Sequence, residues 1–172
     1  NEGDIINIDV TTIVNKWHGD TSRMFFAGDV SVKKKNLVST TYESMMKGIS
    51  VVKNGAHIGD IGEAIQTHAE ANGFSIVRDF CGHGIGKIFH EEPNILHYGT
   101  KGFGGKLKTG MVFTIEPMIN EGKYDSKMLS DGWTAVTKDK SLSAQFEHTI
   151  GVTKESFEIF TQSKKNYAQP PY

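Results

Sequence analysis

Apolar and polar positions alternate from residue 4 to residue 14 (Ile6, Ile8, Val10 and Thr12 against polar neighbours), which predicts a half-buried β-strand. Asn15-Lys16 predicts a tight turn, because Asn tolerates the left-handed conformation such turns need, and a return arm follows over residues 17–27. Strict pairing about that turn does not set Asp9 opposite Asp20; a bulge at His18-Gly19 would shift the register and bring them together. The period then changes. After turn and N-cap candidates at Gly28-Asp29-Val30-Ser31, Leu37, Met45, Ile49 and Val52 recur at helical spacing, predicting a helix from Val32 to about Lys53, stopped by Asn54-Gly55. A second helix is predicted from Ile58 or Gly59 to Ala71, with Ile58, Ile61, Ile65 and Ala69 on one face and Asn72-Gly73 as its stop. The rest reads as short strands and loops: a strand over 74–80, loops over 81–86, 89–93 and 98–110, and a strand over 111–119 carrying Glu116. After a polar loop over 120–132, residues 133–138 and 144–153 predict a hairpin turning at 138–141, with Glu147 inside its second arm. A last short strand is expected over 157–160 and a tail over 163–172.

The chain has 172 residues, enough for a single core, and we expect one domain over 1–162 followed by the tail. A formal net charge of -1 gives no electrostatic case for nucleic acid or an anionic membrane, and Lys33-Lys34-Lys35 reads as a solvated helix face. The single cysteine, Cys81, excludes an internal disulfide framework and fits a reducing cytoplasm. No apolar run approaches the ~18 residues of a membrane span, and no signal peptide is visible. The chain opens at Asn1, directly ahead of a strand, from which we expect a further segment upstream.

Acidic residues inside apolar runs are costly unless paired or bound to a cation. Asp9 lies in Ile5-Ile6-Asn7-Ile8-Asp9-Val10, Glu116 in Val112-Phe113-Thr114-Ile115-Glu116-Pro117, and Glu147 in Ala144-Gln145-Phe146-Glu147-His148-Thr149. Any one alone reads as a solvated surface group; three together, with Asp20 as a fourth, suggest a shared inorganic cation. Four negative charges are neutralised by two divalent ions, whereas one would leave an excess. Oxygen ligands with one imidazole favour Mn, Fe(II) or Co over a structural zinc. Two such ions can activate a shared hydroxide at neutral pH, so the chemistry suggested is metal-assisted hydrolysis.

Of the seven histidines, His83 lies between two glycines, where the backbone packs closely and the ring is presented free of bulk. It is the imidazole candidate, with His90 as a substrate-facing group. His57, His68 and His97 read as helix-cap, helix-face and loop residues, while His18 and His148 should point away from the neighbouring acids. Gly82 to Lys87 lacks the spacing of a phosphate loop. Cys81 near His83 lacks a third orienting group and reads as an inert thiol.

Six segments together resemble the methionine aminopeptidase family of the bacterial type (type I): Asn7-Ile8-Asp9-Val10-Thr11, His18-Gly19-Asp20-Thr21, Cys81-Gly82-His83-Gly84-Ile85-Gly86, Phe89-His90-Glu91-Glu92-Pro93, Phe113-Thr114-Ile115-Glu116-Pro117 and Ser143-Ala144-Gln145-Phe146-Glu147-His148-Thr149. Each is moderately specific; six in order and spacing, over residues 3–161, are very specific. The resemblance implies an α+β "pita-bread" fold, a curved antiparallel sheet with helices on its outer face and a dinuclear site in its concavity. It implies the metal ligands Asp9, Asp20, His83, Glu116 and Glu147, with Asp20 and Glu147 bridging the two ions. It implies His90 as the hydrogen-bond donor to the scissile amide, Glu116 as proton shuttle, Phe89 and Trp133 as walls of a methionine pocket, and Ser143 beside a monovalent cation. The implied activity is removal of the initiator methionine from nascent polypeptides when the next residue is small, by attack of a hydroxide held between the metals. A cytoplasmic monomer with ribosome association is implied with it. The family also carries a helix-rich segment ahead of the first aspartate, with a second substrate-facing histidine and part of the pocket, and these have no counterpart here. The rivals are an Xaa-Pro aminopeptidase or prolidase with a similar ligand set, and a catalytically silent peptide-binding module of the same fold. The type II methionine enzymes also resemble the chain, but their long insertion has no room in it.

Overall fold

The computed structural model describes all 172 residues. The opening hairpin forms as the alternation predicts, with β1 (Ile5–Val14) paired antiparallel to β2 (Trp17–Phe26). Asn15 and Lys16 both take positive φ, 51° and 70°, the requirement of a two-residue turn whose twist matches its strands. The predicted bulge at His18-Gly19 is absent. The register is regular, Asp9 faces Ser22, and Thr11 faces Asp20. Asp9 and Asp20 therefore share one face of the ribbon as diagonal neighbours, close enough for carboxyl groups to meet without a distortion of the backbone. The strand is also less covered than its alternation suggests: Ile6, Ile8 and Val10, on the other face, are 44%, 49% and 48% exposed, because no layer of this chain lies over them.

Two helices follow. In α1 (Val32–Ser50) the Ser31 side chain accepts from Lys34 N–H at the N-terminus, and the helix ends at Val51, earlier than the predicted stop at Asn54-Gly55. Helix α2 (Ile58–Ala71) opens with a reciprocal His57/Asp60 cap and closes at Asn72-Gly73 as predicted. The two helices pack together, α1 on the strands carrying Phe113, Ile119 and Ala144, and α2 against the backbone of residues 96–98.

The remaining strands are β3 (Ser75–Ile76), β4 (Gly82–Gly84), β5 (Glu91–Ile95), β6 (Val112–Ile115), β7 (Met118–Asn120), β8 (Ser126–Met128), β9 (Ala135–Thr137), β10 (Ser143–Gln145), β11 (His148–Val152) and β12 (Phe157–Ile159). They form an antiparallel five-stranded sheet ordered β12-β11-β6-β4-β5, a three-stranded sheet β10-β7-β3 and a ribbon β8-β9. Three expectations are corrected here. The segments expected to be loops around His83 and Glu91 contain strands β4 and β5, because their glycines admit close backbone pairing. The expected hairpin turning at 138–141 does not form: β9 pairs back to β8, while β10 and β11 pair with β7 and β6. And the single strand expected over 111–119 is split into β6 and β7, in different sheets.

That split organises the molecule. Ile115 faces His148 across β6–β11, and Met118 faces Gln145 across β7–β10. The same register runs through the gap, so Glu116 stands opposite Glu147 and Pro117 opposite Phe146. Pro117 has no N–H to continue a ladder, and two like charges directly opposed resist close pairing. The hairpin docks at this point, where Glu147 N–H donates to Ser22 O at 3.1 Å. Phe113, Ile115 and Ile150 point from the sheet into the helix-covered core, whereas Thr114, Glu116, Glu147 and Thr149 point to the opposite, concave side.

The contact of α2 with 96–98 gives a direct test. A Cβ at Gly62 would lie 2.3 Å from Tyr98 O. Gly62→Ala gains helix propensity of about 1 kcal/mol, but the clash is with backbone, which cannot rotate away. We expect a net loss of about 1–3 kcal/mol in urea unfolding, the range for overpacked cores; a stabilised variant would refute this packing.

Candidate metal centre

Four segments converge on the concave side. Ligand atoms of Asp20, His83 and Glu147 lie within 4.8 Å of one another. Glu116 Oε1 is 3.6 Å and Asp20 Oδ2 4.0 Å from His83 Nε2, and Asp9 lies close enough to Asp20, Glu116 and Glu147 for their charges to act on one another. All five residues singled out in the sequence thus meet in one cluster, with Asp9 the most open of them.

Neighbouring groups orient the acids. Thr11 donates to Asp20 Oδ1 at 2.8 Å. Thr114 accepts from His83 N–H at 3.0 Å and donates to Glu116 Oε1 at 2.7 Å, so one hydroxyl couples two of the candidate ligands. Gln145 Nε2 donates to Glu116 Oε2 at 3.3 Å, and Thr149 joins its hydroxyl to both the N–H and the C=O of Asp20. None of these partners was singled out in the sequence; the signal available was a Thr two positions before Glu116 and two after Glu147, on the same side of each strand.

The electrostatics are unfavourable without a cation. Burial, then repulsion from Glu116, Asp20 and Asp9, pushes the Glu147 carboxyl up to about 10; burial, with repulsion from Asp20 and Asp9, raises Glu116 to about 8 despite the Thr114 bond. Asp9 is raised by burial and by Asp20. Oε2 of Glu147 is buried with no hydrogen-bond partner. Burial lowers the His83 pKa, and His83 Nδ1 lies 3.0 Å from the carbonyl of Gly84, which can only accept, so the ring proton is on Nδ1. Nε2 therefore directs a lone pair at two carboxylates, an arrangement that a positive ion between them turns from repulsive to attractive. Backbone fixation of the distal nitrogen is the usual orientation of a metal-ligating histidine. The donor set fits a divalent ion held by oxygen and one nitrogen.

His90 is exposed beside this cluster, its ring centroid 4.2 Å from that of His83. Phe89 packs against both rings, edge-on to His83, and stacks on His18 at 5.6 Å. Trp133 packs on none of them; it is 87% exposed in a turn closed by Asp131, which accepts from the N–H groups of Trp133 and Thr134. Ser143 lies in β10, its hydroxyl 3.4 Å from Ile119 O. Burial pushes the Cys81 thiol up, which leaves it a poor nucleophile. His57 and His68 are the cap and helix-face residues expected, His68 paired with Glu43 at 3.0 Å. His148 binds Thr161 on the side away from the acids. His97, expected to be an ordinary loop residue, is instead buried, its pKa lowered to about 3, and accepts from Glu116 N–H at 3.1 Å.

Residues 1–154 match the model of metallopeptidase family M24. The chain belongs to this family. It is 61% identical over 171 residues to a methionine aminopeptidase of Rickettsia prowazekii, covering 99% of this chain and 66% of that protein. It is 52% identical to a methionine aminopeptidase of Escherichia coli, covering 95% of this chain and 62% of that one. A crystal structure of the Rickettsia prowazekii enzyme superposes with a TM-score of 0.92 at 62% identity, over 93% of this chain and 65% of that chain. A prolidase of Pyrococcus furiosus, 23% identical, superposes at 0.73 over 95% of this chain and 42% of its own, a likeness of fold alone. The M24 chain thus has the pita-bread fold, and it spans just under two thirds of the length of these methionine aminopeptidases. M24 membership implies divalent metal binding. No helix is long and apolar enough to cross a membrane.

The raised carboxyls set the sign of a pH effect. In the metal-free fold Glu116 and Glu147 keep their protons above the pH at which the unfolded chain releases them. Their contribution is complete below the ordinary glutamate range and is lost as pH rises towards about 8 and beyond. Above about pH 7 the buried histidines His83, His97 and His148 are neutral in both the folded and the unfolded chain and drop out of the balance. We therefore expect the melting temperature with chelator to fall from about pH 7 to about pH 8.5, and Mn(II) to raise it most at the upper end. A metal-free melting temperature that climbs over this interval would contradict the assignment.

Proposed function

We propose that this chain is the metal-bearing part of a methionine aminopeptidase, which removes the N-terminal methionine of nascent polypeptides when the second residue is small. The observation that carries the reading is the convergence of Asp9, Asp20, His83, Glu116 and Glu147 on one buried, carboxylate-rich centre, in a chain 61% identical to a relative bearing that name. The five would hold two divalent ions, Mn, Fe(II) or Co. Bound there, the ions supply Lewis-acid polarisation of the scissile carbonyl and lower the pKa of water towards neutrality.

The chain's own groups do the rest. Glu116, whose carboxylate Thr114 and Gln145 hold beside His83, takes the proton of the attacking water and passes it to the leaving amine. His90 donates to the scissile amide. Phe89 forms one wall of the methionine pocket, and Trp133 closes on the side chain from its exposed turn. Ser143 lies beside a monovalent cation. Residues 1–162 form the catalytic unit and 163–172 a tail, in a monomeric, cytoplasmic protein that meets its substrates at the ribosome. The lone Cys81 supports that compartment.

Release of the first residue from peptides beginning Met-Ala, Met-Leu and Ala-Pro, with Mn(II) and with chelator, tests the reading. We expect release from Met-Ala alone, abolished by chelator. Release from Ala-Pro would instead assign a prolidase-type activity. Bound metal with no release from any peptide would point first to the third of the relatives' length that this chain does not span, and only after that to the silent binding module. Glu116→Gln is expected to reduce turnover about 100-fold or more, the scale of a lost general acid–base group; near-normal turnover would remove Glu116 from that role.

A further inference from the structure

His97 is used by none of the chemistry above, yet it is only 2% exposed and touches the centre through the backbone. It lies just beyond β5, an edge strand of the five-stranded sheet. Its Nε2 is 3.1 Å from Glu116 N. A backbone N–H can only donate, so Nε2 presents its lone pair and the ring proton is on Nδ1. The position of this bond matters more than its strength. At Ile115 the chain is still paired to β11, at Pro117 there is no N–H, and from Met118 it belongs to the other sheet. Glu116 N–H is thus the donor at the crossing itself, and His97 is its acceptor.

The side chain of Glu116 is held separately, at Oε1 by Thr114 and at Oε2 by Gln145. Those two bonds set the carboxylate only if the backbone beneath it is fixed. We propose that His97 is a positioning residue, whose bond to Glu116 N–H fixes the sheet crossing so that the Glu116 carboxylate stays directed at His83, and that the divalent-ion affinity of the centre depends on it. This rests on the metal-centre reading above.

A packing role would be served by any side chain of similar volume; a positioning role needs the acceptor. His97→Phe keeps the volume without the acceptor, and His97→Gln keeps an acceptor at similar reach without the ring. Co(II) affinity, followed by visible absorption, is expected to fall about 10- to 100-fold in H97F, the usual cost of losing a group that supports a ligand. In H97Q it should stay within about threefold of wild type, less than one net hydrogen bond. Exchange of the Glu116 amide, measured by NMR without metal, should be faster in H97F and near wild type in H97Q. Wild-type affinity in H97F, or equal loss in both variants, would overturn the proposal. A wild-type protein that takes up no Co(II) would refute the metal-centre reading instead. Amide exchange would then decide the contact by itself, unchanged exchange in H97F overturning it.

Discussion

Glu116 and Glu147 oppose each other across the one gap in an otherwise continuous antiparallel register, and much of the structure answers to that opposition. A ladder cannot close over two facing carboxylates and a proline, so the long strand pair bends there and divides between two sheets. The bend makes the concavity. It also leaves Ser22 of the hairpin free to bond to Glu147, which brings Asp20 and Asp9 onto the same spot. Packing behind the gap is apolar and closed, with Phe113, Ile115, Phe146 and Ile150 at 1% exposure or less, so the acids have nowhere to turn except the concave side.

Holding so many acids together requires more than the backbone. Hydroxyl groups do most of the orienting, since a threonine on the site-facing side of a strand can donate to a carboxylate while accepting from a main-chain N–H. Thr114 and Thr149 both bond in two directions, and Thr21 donates to the Glu147 carbonyl at 2.9 Å. The bonds satisfy oxygens without neutralising charge. Orientation and charge balance are therefore supplied by different parts of the molecule, the first by the strands and the second by whatever cation the site accepts. The tautomer of His83 belongs with the first: Gly84 C=O fixes it before any ion arrives.

Four of the five cluster-forming residues were legible in the sequence because each is chemically out of place, an acid in an apolar strand or a ring between glycines, and Asp20 was legible from its place across the hairpin turn from Asp9. The helices were legible from periodicity, although α1 ended early because its last turn closes on Val51 rather than at the glycine beyond. What could not be read was pairing. Period-2 alternation says which face a residue takes but not which strand lies beside it. So β9 was expected against β11, and Asp9 was expected to need a bulge when the diagonal across a regular ribbon is sufficient. His97 was missed for a related reason: its partner is a backbone N–H left free by a break in a ladder, and such a break is visible only once the register is known.

The unbroken count across the gap also fixes where this chain can change length. Met118–Asn120 and Ser143–Gln145 act as rulers running from the three-stranded sheet to the two glutamates. One residue gained or lost between Pro117 and Met118, or between Gln145 and Phe146, would shift one ruler against the other and turn a carboxylate to the wrong side of the sheet. Residues 121–142, which carry the β8–β9 ribbon, lie outside both rulers. A change of length inside that excursion leaves the count along either ruler, and so the facing of the two glutamates, unaltered.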